Sequence, residues 1–406
     1  MVNSVSWKNI WRNKLRSAVI LVAMALGLTA GVFLLAFYYG MVKQRIAAAI
    51  DTESSHIQVH QADYLENNEI ANFIPGADHK LGSIKEMEHV KAVSRRLVIN
   101  SMISSAETGS GVRIMGVEPE KEKQVTNLYT KIKDGAYFEG VKRNPIVIGH
   151  KLAEKLKVRV RSKVVLTSQE LDGTLTGGSF RVAGIYRTSN SVYDESTAFV
   201  RLTDLANLVK MDASSAHEIA VYIDDNEHLA PTAEKISGLF PQSDVKSWET
   251  LMPEVAIIKE SMNLMMYITI IIILLAMGFS IVNTMLMSVL ERVKELGMLM
   301  AIGMNRLRIF MMIVLETVYL SLVGGMLGLF LGILISNYFG KTGIDLSIWG
   351  EGLEAYGYDI VIFPILEVKN VVIVSLLIIA TGIVSALYPA YKALKLNPAE
   401  ALRIDN

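Results

Sequence analysis

The sequence predicts a membrane protein: four transmembrane helices in a one-plus-three arrangement, with a large α+β extracytoplasmic (periplasmic) domain between helices one and two. Three observations lead there. Apolar runs occupy 17–40, 262–290, 309–339 and 370–389, and about 20 such residues cross a bilayer's ~30 Å hydrocarbon core. The intervening stretch 41–259 carries recurrent short strand patterns that need a core of their own. Cationic residues collect before the first run, between the second and third, and after the fourth, which by the positive-inside bias puts both termini in the cytoplasm. A chain of 406 residues that is 51% hydrophobic and 20% charged, with mean hydropathy +0.36, suits such a mixture of membrane and water-facing parts. Forty Lys plus Arg balance forty Asp plus Glu, so charge gives no reason to expect a nucleic-acid partner. The absence of Cys removes disulfides and zinc-thiolate sites.

In chain order, 1–16 is an amphipathic cytoplasmic segment with Trp7, Lys8, Trp11, Arg12, Lys14 and Arg16 as an interfacial flank. The apolar run that follows is longer than the ~7–15 residues of a signal-peptide core, so it reads as the first span, 17–40. In the domain 41–259, strand patterns recur at 56–59, 97–100, 112–115, 145–148, 164–167, 180–186, 197–200 and 219–223. Helical patterns lie between them at 150–156, 203–209 and 231–240. The second span is 262–290, a cytoplasmic helix and loop 291–308, and the third span 309–339. A periplasmic loop, 340–369, is too short for its own core and is expected to cap the third and fourth spans; the fourth span, 370–389, leads to a cytoplasmic tail, 390–406.

Several apparent motifs carry no chemistry. Gly340-Lys341-Thr342 lacks the glycine that a phosphate loop needs five residues earlier, where Ile335 stands. His217-Glu218 lacks the second histidine of a zinc-protease helix, because position 221 is Val. His56 and His60 fit one face of a strand, but all seven His read as solvated or core residues and no metal site is expected. The cations Lys151, Lys155, Lys157, Arg159, Arg161 and Lys163 read as a solvated face. On the spans, Gly324, Gly328 and Gly332, with Gly27 and Gly31, have the spacing that lets helices approach closely. Glu316 is costly in lipid and should face protein. The second span is rich in Met.

The loop 291–308 is patterned. Val293, Leu296 and Met300 share one helical face, while Glu291, Arg292, Lys294 and Glu295 lie elsewhere. Gly297 and Gly303 leave room for a bend or a close neighbour. Together with Ala301-Ile302-Gly303, Arg306, the Glu316 glycine ladder, Pro389, Pro398 and Ala401-Leu402-Arg403, the chain resembles the FtsX-like, MacB-type permease family of ABC transporters, and within it the lipoprotein-releasing (LolC/LolE-type) permeases. The outer-domain pattern Ile146-Val-Ile-Gly149 with Leu152-Ala153 also fits.

That resemblance implies a mechanotransmitting dimer with an identical or homologous second permease in a bacterial inner membrane. It implies no ATPase motif and no cofactor in this chain; ATP and Mg would belong to cytoplasmic ABC ATPase subunits. Those subunits would meet Glu291, Arg292, Glu295, Gly297, Ala301, Gly303 and Arg306, so the resemblance implies that 291–308 is a coupling helix and loop. Lipoprotein cargo, or membrane lipid, would meet Phe33, Phe37, Tyr38 and Met41 from span one and Met262, Met265, Met266 and Tyr267 from span two, where flexible Met and flat rings tolerate varied acyl chains. A periplasmic lipoprotein chaperone would dock on a hairpin hook, for which Leu171, Asp172, Gly173, Thr174 and Leu175 are the candidates. Two other activities fit the family: MacB-like efflux of peptides or drugs, and an FtsX-like scaffold for cell-wall hydrolases.

Overall fold

The computed structural model describes residues 14–395. The cationic flank before Lys14, Pro398 and the motif Ala401-Leu402-Arg403 lie outside the described residues. The chain forms two units: one contains residues up to 42, 260–344 and 362 onward, the other 43–259 and 345–361.

The first unit is a bundle of the membrane spans, whose helices run Lys14–Ala48, Pro253–Glu291, Arg306–Thr342 and Val368–Leu394. All have the length and hydropathy to cross a bilayer. Each outruns the apolar stretch seen in sequence, because a helix continues past the hydrocarbon wherever its backbone bonds stay satisfied. Glycines set the packing. A Cβ on Gly328 would lie 2.7 Å from Leu28 Cβ and 2.8 Å from the Ala25 carbonyl oxygen. Spans one and three therefore nearly touch backbone to backbone, and Thr29 Oγ1 donates to the Gly328 carbonyl at 3.1 Å. Gly324 and Gly332 meet Met24 and Val32 in the same seam, and Gly382 of span four meets Ser321 of span three. Gly31 faces Ile273 of span two, whereas Gly27, expected in the same role, has open space around it. Of the span-two methionines, Met277 and Met285 fill the bundle core, and Met287 is exposed.

The second unit is built on ten strands: β1 Ile57–Gln61, β2 Val90–Ser104, β3 Gly109–Val117, β4 Ile132–Gly135, β5 Pro145–Gly149, β6 Lys163–Gln169, β7 Leu175–Tyr186, β8 Thr197–Arg201, β9 Glu218–Ile223 and β10 Ser243–Ser247. Six of them pair in a closed ring, β2-β3-β8-β5-β7-β6 and back to β2. Closure removes free edges, which open sheets must otherwise protect. Alternation places Leu97, Ile99, Ile114, Ile146, Ile148, Val182 and Val200 in one core and Val98, Met115, Val147 and Phe199 in another on the opposite face. The N-terminal half of β2 leaves the ring to pair with β9, which continues through β1 to β10. A separate core around Trp248, Ile57, Val59 and Val93 covers that part.

Each strand pattern read from sequence lies in or against one of these strands. Gly149 closes a tight junction: a Cβ there would fall 2.0 Å from the Asp194 carbonyl oxygen. The segment 340–369 differs from expectation. Its middle, 345–361, belongs to the large domain and not to the spans. Buried Glu354 accepts from Arg187 at 2.8 Å, Gln44 donates to the Val361 carbonyl at 3.1 Å, and the segment thereby fills a polar recess beside Arg45, against which Gly357 is packed.

Candidate functional site

The bend between spans two and three is formed from its own local chemistry. The second span helix stops at Glu291, and a short helix, Val293–Ala301, follows a break at Arg292. Gly303 then adopts φ +97°, a left-handed conformation that suits glycine. Asn305 caps the third span helix by accepting from the Leu307 N–H at 3.0 Å.

Val293, Leu296 and Gly297 are buried, so the apolar stripe faces the bundle. Arg292 donates from Nε to Glu295 Oε2 at 3.1 Å and from Nη1 to both carboxylate oxygens of Glu316 at 3.3 Å. Arg292 is 16% exposed and Glu316 8%, which makes this a shielded pair. Its polar cluster joins the short helix to span three. Glu291, Ala301, Gly303 and Arg306 are exposed on the bend, and Arg306 Nη1 donates to the Leu394 carbonyl at 3.3 Å. The candidates thus divide: Arg292 and Gly297 look inward, Glu295 reaches Arg292 with its side chain still 46% exposed, and the others face outward.

Sequence reasoning missed the apolar part of this surface. Met298, Ile302 and Leu307 are 53%, 77% and 64% exposed. The signal was available, since Met298 and Ile302 are four apart and off the buried stripe.

At the other ends of the spans, Phe33 packs edge-on against Phe339 of span three, with ring centroids 5.7 Å apart. Phe37, Tyr38, Met41 and Met262 are half-buried. Met266 packs against the bundle core that includes Leu35 and Ile270, while Met265 and Tyr267 are exposed. Spans two and four also leave an apolar groove of about 470 Å³ beside Gly278, Phe279 and Tyr388.

The candidate hook is the β6–β7 connection. Gln169 pairs with Leu175, so the hairpin closes over Glu170–Thr174 alone. Gly173, at φ +83°, makes the turn, and Asp172 accepts from the Thr174 N–H at 2.9 Å. Hydrogen bonds from Thr174 hold the Asp172 carboxyl below its usual range. Leu171 and Leu175 are 38% and 73% exposed. They border a groove of about 720 Å³ that Asn67, Glu69, Asn100, Met102 and Gln169 also line.

The rejected motifs are structural. Gly340-Lys341-Thr342 ends a helix instead of preceding one. Glu218 is buried against Arg96, which also binds Glu122 at 2.7 Å. His60 and His217 each stack on Tyr64, with centroids 5.3 and 5.2 Å away. In the cationic run, Lys155 pairs with Glu195 at 2.6 Å and Lys157 with Glu107 at 2.9 Å.

Comparison with known proteins covers nearly the whole chain. Residues 17–239 match the family described as MacB-like periplasmic core domain. Residues 267–398 match the FtsX-like permease C-terminal family. The lipoprotein-releasing system transmembrane protein LolC of Neisseria meningitidis is 22% identical over 414 residues, covering 97% of this chain and 96% of that protein. The pyoverdine export ATP-binding/permease protein PvdT of Pseudomonas fluorescens is 22% identical over 413 residues, 98% of this chain and 58% of that protein. Among solved structures, the periplasmic region of MacB from Actinobacillus actinomycetemcomitans aligns with 52% of this chain and 95% of its own, at 13% identity and a TM-score of 0.35.

Proposed function

We propose, from the premise that this chain belongs to the permease family with a MacB-like periplasmic core domain and an FtsX-like C-terminal region, that it extracts lipoproteins from the outer leaflet of a bacterial inner membrane. As a member of that family it is an ABC transporter permease, which works with ATPase partners and a second permease. The observation that carries the finer reading is the end-to-end correspondence with LolC, 96% of whose length is matched. ATP and Mg²⁺ would be held by the ATPase. Its closure would push on the bend through exposed Met298, Ile302 and Leu307, and the Arg292–Glu316 pair would pass the displacement to span three. The cargo's acyl chains would meet Phe37, Met265 and Met266, and a periplasmic chaperone would receive it near Leu171 and Leu175.

A photoreactive residue at Phe37 or Met266 is expected to trap acylated protein, with less trapped while ATP is turned over. Trapping of bulk phospholipid alone, with ATPase activity stimulated by peptides or drugs, would replace this reading by efflux. What supports efflux is a partial similarity, to the macrolide export protein MacB of Bdellovibrio bacteriovorus, 36% identical over 132 residues, 32% of this chain and 17% of that protein. Orientation has its own check: a reporter after Ser110 should be outside and one after Asn305 cytoplasmic, and the reverse pair of results overturns either transport reading.

A further inference from the structure

His89, Asp224 and His228 come together from two loops of the large domain, at sequence separations no motif would flag. His89 Nδ1 lies 3.1 Å from Asp224 Oδ2, and His228 Nδ1 lies 2.8 Å from Asp224 Oδ1. The two imidazoles stack with centroids 3.5 Å apart. The donor atoms of the three side chains all fall within 4.8 Å of one another.

We propose that these three side chains form a binding site for a borderline divalent transition ion, Zn²⁺ foremost, held by the two Nδ1 atoms and one Asp224 oxygen with water completing the shell. The spacing is the first support. Bonds of about 2.0–2.1 Å at tetrahedral angles put neighbouring ligand atoms about 3.3 Å apart, so the two N–O separations of 3.1 and 2.8 Å need only a small expansion, while the stacked rings must tilt apart for both in-plane lone pairs to meet one ion. The donor set is the second. Two imidazoles and one carboxylate suit Zn²⁺, Co²⁺, Ni²⁺ or Cu²⁺, whereas Mg²⁺ and Ca²⁺ favour oxygen.

Preorganisation is the third. His89 holds φ +69°, a left-handed conformation that costs a non-glycine residue energy, at the residue just before β2. Asp224 N–H donates to the His89 carbonyl at 3.0 Å, fixing the two loops to each other. Asp225 accepts from the Glu227 N–H at 3.0 Å, which sets the turn carrying His228. Two N–H···O bonds to Asp224 are given up on binding, and each neutral ring keeps its proton by moving it to Nε2. Glu88, with Oε1 3.8 Å from His89 Nε2, then faces that proton as an outer partner.

The ion would staple the start of β2 to the end of β9. Between Asp224 and His228 lies Asn226, whose side chain accepts from the Trp248 indole at 3.1 Å, shortly before the second span helix begins. A bound ion would therefore also restrain the loop that holds Trp248.

The test is titration of the full-length, metal-free protein, purified without a polyhistidine tag, with Zn²⁺ by calorimetry and with Co²⁺ by visible absorption. One ion per chain is expected, with the intense d–d bands of a four-coordinate site and no competition from Mg²⁺. His89→Gln and His228→Gln should each weaken Zn²⁺ binding by at least the roughly 10–100-fold that follows loss of a supporting partner alone. His79→Gln, at an exposed histidine elsewhere in the domain, should leave it unchanged. Unaltered far-UV circular dichroism and thermal unfolding of the metal-free variants verify that they are folded. Non-saturating binding, or equal affinity in the His89 and His228 variants, overturns the proposal.

Discussion

Arg292, at the break after the second span, places Nη1 3.3 Å from both carboxylate oxygens of Glu316 on the third. A guanidinium and a carboxylate so shielded depend on each other, because either one alone keeps its desolvation cost without its partner. They are separated by 24 positions, so the pair is a tertiary joint and not a feature of one helix.

If this joint carries force, Arg292→Met and Glu316→Gln should each lower the stability of the purified permease, and the double variant should lose less than the sum. A coupling of about 0.5–3 kcal/mol is expected from a double-mutant cycle in denaturant. Additive losses would show the pair to be incidental. Glu295→Lys removes the second carboxylate beside Arg292 and is expected to leave ATP hydrolysis running while transport falls, in a protein still inserted and folded.

Two glycines of similar sequence context should behave oppositely. Gly328→Val must push span three away from the Ala25 backbone and is expected to cost about 1–3 kcal/mol, as overpacking does. Gly27→Ala meets nothing within 4 Å, and should be neutral or slightly stabilising through helix propensity. Thermal unfolding in detergent separates them. Equal shifts would mean that the seam between spans one and three is not the constraint.

His217 predicts a pH dependence. Its Nδ1 accepts from the Val98 N–H at 3.1 Å, so the neutral ring donates from Nε2 to the Ile70 carbonyl at 3.0 Å. Burial holds its pKa below the ordinary value, and protonation would also turn Nδ1 into a donor facing a donor. The unfolded chain therefore binds the extra proton first. Stability is full above about pH 6.5 and declines as pH falls from there toward the lower folded value, by at most about 1.4 kcal/mol per pH unit for this group. Fluorescence of Trp248, the one tryptophan kept in a Trp7→Phe, Trp11→Phe, Trp349→Phe background, should report it during denaturation at pH 7 and pH 5, and His217→Gln should flatten the slope. An unchanged slope in that variant assigns the effect to other groups.

The sequence made the spans and the principal strands legible because each has its own periodicity. β10, Ser243–Ser247, was missed: its residues are all half-buried and mostly polar, and only pairing with β1 defines it. β4 was missed for the same reason, being short and largely exposed. The assignment of 345–361 to the large domain rests on Arg187 and Glu354, which are 167 positions apart. In the bend, the charges were visible but not their direction, since Glu316 draws Arg292 inward while Met298, Ile302 and Leu307 are left exposed. His89 and Asp224, 135 positions apart, lay beyond any local pattern.

β2 gives Val93 to the core around Trp248, Leu97, Ile99 and Ile103 to one face of the strand ring, and Val98 to the other. With Ala92 in a small fourth cluster beside Val125 and Ala220, one strand of 15 residues is thus a shared wall of four cores. None of them can melt while the others stay intact, so the large domain should unfold all at once. A deeply protected stretch of amides would run the length of β2, and a defect introduced anywhere along it would be felt by the whole domain.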